Sequence, residues 1–127
     1  MNLEKVIFAF FIVLALTINF GFFIGDIDNP DHHNVYELYA ALVISLIATV
    51  LKFGDRTHIG AVLLATSLVA DVQLIIAAVI WGMVEHVTQT GMTPHVMAAI
   101  VSLSGGALLA NITSVVLFVI ETAMMRR

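Results

Sequence analysis

The 127-residue chain has no cysteine, two prolines and only 11% charged residues. Without cysteine there is no disulfide, no thiol nucleophile and no thiolate ligand for zinc or an iron–sulfur cluster. Bases are scarce as well. Five Lys and Arg stand against nine Asp and Glu, for a formal charge of −4. A chain so poor in bases has no basic surface for phosphates, which excludes nucleic acid as a partner. Apolar residues are in excess, at 61% of the chain and a mean hydropathy of +1.06. Soluble domains are nearer half apolar and about a quarter charged. The composition therefore excludes a soluble globular domain and a disordered chain, and it points to the membrane.

A membrane-spanning helix needs about 20 mostly apolar residues. Four runs meet that requirement, at about 6–24, 35–51, 59–84 and 96–120. The expectation is one all-α domain over 1–127, an integral membrane four-helix bundle with no room for a soluble domain. Pro30 and Pro94 sit in loops just ahead of helices, where a fixed φ and a missing N–H cost nothing. The first run is longer than the apolar core of a signal peptide, about 7–15 residues, and no small-x-small cleavage site follows it. It reads as a retained span.

The bases set the orientation. Lys5 precedes span one, Lys52 and Arg56 lie between spans two and three, and Arg126 and Arg127 follow span four. All fall on one side of a four-span chain, and by the positive-inside rule that side is cytoplasmic, with both termini inside. The opposite surface carries Asp26, Asp28, Asp31, His32, His33 and Glu37 in one loop and Glu85, His86 and His95 in the other. Tyr36, Tyr39 and Trp81 lie near the same interface, as aromatic belt residues do. Glu37-Leu-Tyr-Ala-Ala and His95-Val-Met-Ala-Ala open spans two and four alike, a faint parallel repeat.

Asp71 is the most informative residue. It falls about twelve residues into span three, near the bilayer midplane, where a carboxylate costs at least about 2.5–3.5 kcal/mol. It must face the bundle, a partner subunit or water, as a cation-binding, proton-relay or pore-lining group, or as a neutral or hydrogen-bonded clamp between helices. Asn111 lies at similar depth in span four, on one face with Ser104, Ala107 and Ser114, so Asp71 with Asn111 is the expected cross-helix pair. Ser67, one turn from Asp71, completes the candidate ion pathway. Gln73 points elsewhere on its helix, and Asn19 needs a partner of its own.

Ser102, Gly106, Ala110 and Ser114 recur every four residues in span four, with Gly105 beside them. Small residues at that spacing let helix backbones approach closely, within one subunit or between two. The SLSGG run is no selectivity filter, because its apolar pattern continues unbroken as a helix.

In the acidic loops, Asp26, Asp28, Asp31, His32 and His33 carry donor types that suit a divalent metal, and Glu85, His86 and His95 complete a candidate set if the loops touch. The spacing is not that of an EF-hand, and there is no HExxH pair. The plainer reading is a solvated acidic rim in which Asp31 caps the helix that starts near His33. Between spans two and three, Gly54 reads as a C-cap, and Asp55 or Thr57 as the following N-cap.

At GDIDNPDHHNVYELYAALV, LKFGDRTHIGAVLLATSLVAD and VSLSGGALLANI the sequence resembles a family of small four-helix bacterial inner-membrane proteins of unknown function. The resemblance covers most of the chain and implies no activity, ligand or catalytic residue.

These readings lead to a small homo-oligomeric inner-membrane protein that conducts or transports a small cation past a midplane carboxylate. The alternative is a non-transporting accessory or assembly subunit of a membrane complex. No paired carboxylates, Ser/His pair or metal motif lies within the spans, so no enzyme is expected, and no cofactor apart from a divalent metal at the acidic loops. The expected partners are the lipid bilayer, further copies of the chain and another membrane protein.

Overall fold

The computed structural model describes residues 3–53 and 57–125. Four helices account for nearly all of them: α1 (Leu3–Phe23), α2 (Val35–Lys52), α3 (His58–Gly82) and α4 (Pro94–Met125). All four are long and apolar enough to cross a membrane, and no strand occurs among the described residues. The helices form a four-sided ring in which α1 packs on α2, α2 on α3, α3 on α4 and α4 back on α1. Short connections make successive helices antiparallel, as expected of an up-and-down bundle.

The ends of the elements follow from local chemistry. A single 3₁₀ turn, Pro30–His32, precedes α2, and Asn29 Oδ1 accepts from the Asp31 N–H at 3.0 Å within it. Asn34, not Asp31, caps α2, its Oδ1 accepting from the Tyr36 N–H at 2.8 Å. The turn holds Asp31 three residues ahead of Asn34, too early to reach the helix. Thr57 caps α3 through the Gly60 N–H at 2.9 Å, while Gly54, Asp55 and Arg56 lie outside the described residues. At its far end α3 widens into a π turn, Met83–Val87, and Gln89 closes it with φ of 55°. A left-handed residue just past a helix is a common way to satisfy its last carbonyls. α4 starts at Pro94 and runs a turn beyond the expected end, and at the start of that extension Glu121 is buried and paired with Lys5 of α1 at 2.9 Å.

The interior is divided along its length. At the end that carries the acidic loops, Phe22, Leu38, Leu74, Ala77, Met97 and Ile100 form an apolar plug. Towards the other end the buried positions turn polar, with Ser45, Thr49, Ser67, Asp71, Asn111, Ser114, Lys52 and Glu121 facing inwards around a smaller cluster of Phe8, Ile12, Ala48 and Leu63. The outward faces are apolar, among them Val43, Leu46, Val50, Val69, Val72, Leu109, Val116 and Val119. Polar side chains inside and apolar ones outside suit a hydrocarbon solvent, in which a polar group must find its partner within the protein.

Candidate functional site

Asp71 is 3% exposed. Its partners come from α2. Ser45 Oγ donates to Asp71 Oδ1 at 2.6 Å, and Thr49 Oγ1 donates to Oδ2 at 2.5 Å. Ser45 and Thr49 are one turn apart on one face of α2, so the two hydroxyls reach the two carboxyl oxygens side by side. Thr49 Oγ1 also lies 2.9 Å from the Ser45 carbonyl, so its one hydroxyl proton is shared between that carbonyl and Asp71 Oδ2. No basic side chain pairs with Asp71 among the described residues. Lys52, further along α2, is buried with its ammonium 4.6 Å from the centre of the Phe8 ring.

The expected pair of Asp71 with Asn111 does not form. α3 lies between α2 and α4, and Asp71 projects to the α2 side. Asn111 is equally buried on α4, yet its Nδ2 has no hydrogen-bond partner among the described residues. Ser67 is buried one turn from Asp71. The polar link between α3 and α4 is made instead by Thr66 and Ser114, whose hydroxyls are 2.6 Å apart. Asn19 of α1 finds α4: Ser104 Oγ donates to Asn19 Oδ1 at 2.6 Å, and Asn19 Nδ2 donates to the Ser104 carbonyl at 3.1 Å. The sequence reading missed Ser45 and Thr49. Their i, i+4 spacing and their depth opposite Asp71 in an antiparallel hairpin were the available signal.

Part of the small-residue stripe, and Gly105 beside it, packs inside the chain. A Cβ on Gly105 would stand 2.8 Å from the Phe23 ring of α1, and one on Gly106 would overlap the Gln73 amide of α3. Ser114 is buried, Ala110 half-buried and Ser102 exposed. Gln73 Oε1 is enclosed without a partner among the described residues.

At the acidic end the candidate metal donors are spread out. Among the described residues no three His, Asp or Glu side chains are gathered as a metal site requires. Asp26, Asp28, Asp31, Glu85, His86 and His95 are all exposed. His32 accepts the Asp26 N–H on Nδ1 at 2.9 Å, and its Nε2 lies 3.3 Å from Asn29 Nδ2. His33 is buried, with Nδ1 at 2.6 Å from the Phe22 carbonyl and Nε2 at 2.7 Å from the Asp26 carbonyl. Both of its nitrogens are thus engaged with the backbone.

A family profile described as a family of unknown function (DUF6394) matches residues 32–122, most of the chain. The chain belongs to that family. The matched stretch takes in Ser45, Thr49, Asp71 and Asn111 and leaves out α1. Comparison with curated proteins and with solved structures gave no match.

Proposed function

We propose that this protein is a multi-pass protein of a bacterial inner membrane, with both termini in the cytoplasm, which binds a small cation at Asp71 and passes it across the bilayer. The observation that carries the reading is a carboxyl group inside a bundle of apolar-faced helices whose partners, among the described residues, are two hydroxyls and no base. A carboxylate in that position is costly unless a proton or a cation neutralises it. Buried ionisable groups of this kind mark ion and proton pathways more often than they serve structure. The acidic loops would raise the local cation concentration at one mouth. Four helices packed as a closed ring enclose little space, so the pathway would be completed by further copies of the chain. A liposome assay tests the reading: purified protein should carry protons, sodium or potassium, and vesicles that carry none of them would overturn it.

A second reading, an accessory or assembly subunit that transports nothing, is favoured by one observation. Each oxygen of Asp71 is engaged by one hydroxyl, of Ser45 or Thr49, as in a clamp between α2 and α3. Co-purification with a second polypeptide, together with flux-free vesicles, would favour it.

A further inference from the structure

His33 stands where α1, the first acidic loop and α2 meet, and it is 4% exposed. One ring nitrogen faces the Phe22 carbonyl at 2.6 Å, in the last turn of α1, and the other faces the Asp26 carbonyl at 2.7 Å. A carbonyl can only accept. A neutral imidazole has one N–H and one bare lone pair, so it can donate to one of the two carbonyls and must present its lone pair to the other. Only the imidazolium donates at both nitrogens. Burial keeps water from substituting for the missing donor, and an unmade bond on a buried group is expensive. The C-terminal end of α1 also favours a cation, because its last carbonyls carry partial negative charge.

We propose that His33 is a proton-operated latch, closed as the imidazolium and released on deprotonation, which pins the loop 24–34 to the end of α1. The latch stands apart from Asp71 and does not depend on the cation pathway. Its neighbours are few. The Phe22 ring packs on it with centroids 5.5 Å apart, and Trp81 of α3 lies behind Phe22 at 6.2 Å. Neither is charged. The titratable neighbours are His32, with ring centroids 6.5 Å away, and Asp26, whose exposed carboxylate lies 3.9 Å from His32 Nδ1. His32 accepts a backbone N–H on Nδ1, so this geometry suits its neutral form. Asp28 and Asp31 are exposed on the same loop, and Glu37 sits one turn on in α2, against Gly21 of α1. Because the bonds need the proton, the latch is closed at low pH and opens as pH rises.

The chain has no cysteine, so Asp28→Cys introduces one unique label site on the exposed loop. With a spin label there and the protein in lipid nanodiscs, the label should be restricted at acidic pH and become mobile in a single transition as pH rises. His33→Gln, whose one amide nitrogen cannot bridge both carbonyls, should lose the transition and remain mobile throughout. His32→Gln should keep it. A flat profile in the unsubstituted background, or a transition that survives His33→Gln, overturns the latch. Should His33→Gln fail to fold, ¹⁵N spectra of the histidine rings decide. Two protonated nitrogens on His33 while the loop is restricted are required, and one bare nitrogen in that state overturns the latch.

Discussion

Asp71 on α3 and Thr49 on α2 are joined by a hydrogen bond of 2.5 Å across the bundle interior, and the same Thr49 hydroxyl lies 2.9 Å from the Ser45 carbonyl one turn before it. The carboxyl group is therefore held in place by the α2 backbone through one intervening hydroxyl. A shift of α2 along α3 by a fraction of a turn would separate donor from acceptor. The same few atoms can act as a fastening or as an ion site, and substitution separates the two roles.

Asp71→Asn should fold, keep its size-exclusion profile and lose no more than about 1 kcal/mol of stability, since hydrogen bonds of this kind contribute on average about 0.6 kcal/mol in membranes. The amide accepts from one hydroxyl and donates to the other. Under the transport reading the variant should be silent in liposome flux assays. An Asn variant with full flux would remove Asp71 from the mechanism.

Asn111→Leu separates the roles from the opposite direction. The Asn111 amide donor is buried without a partner among the described residues, so replacing it with an apolar group should be neutral or stabilising. Unchanged or raised thermal stability combined with reduced flux would mark Asn111 as part of a pathway. A marked loss of stability would show that a partner has been missed.

Asn19 and Ser104 should couple. A double-mutant cycle of Asn19→Ala and Ser104→Ala should give an interaction energy of about 0.6–1.7 kcal/mol by thermal or chemical unfolding in detergent, the span found for such bonds. An interaction energy of zero would mean that the pair seen in the structure is not a fastening.

Gly106→Leu should lower detergent stability sharply, because the new side chain meets Gln73. Overpacking of this kind typically costs about 1–3 kcal/mol. Combining it with Gln73→Ala should restore much of the loss, as shown by melting temperature. Full tolerance of Gly106→Leu alone would place this face against lipid.

Reporter fusions at Gly91 and at the C-terminal end of the chain should give opposite answers, with Gly91 outside. A periplasmic report from the C-terminal fusion would reverse the orientation drawn from Lys5, Lys52, Arg56, Arg126 and Arg127.

The four helices were readable because a span is a property of composition over about 20 residues, and Asp71 stood out because one carboxyl interrupts such a run. The partner of Asp71 was not readable to the same degree. Depth along an antiparallel hairpin follows from counting residues, but the direction in which a side chain leaves the helix axis decides between two neighbours. α3 touches both α2 and α4. Asn111 matched Asp71 in depth and in chemistry, yet it sits on the far side. Gly106 was legible as a small residue at a close approach, though not as the notch that receives Gln73. Asp31 and Asn34 are equally good caps by residue type, and the choice fell to Asn34 because a 3₁₀ turn delays the start of α2. His33 was legible as a candidate metal donor on a polar loop, and nothing in its neighbours announces burial between two carbonyls.

The seam between α1 and α4 also bears on how the protein is made. Asn19 is satisfied by Ser104, 85 positions later in the chain, and Lys5 meets Glu121, 116 positions later. Ribosomes add roughly 5–20 residues per second, so α1 waits on the order of 4–17 s for the residue that answers its amide. Through that interval the amide of Asn19 is without the partner it has in the finished bundle.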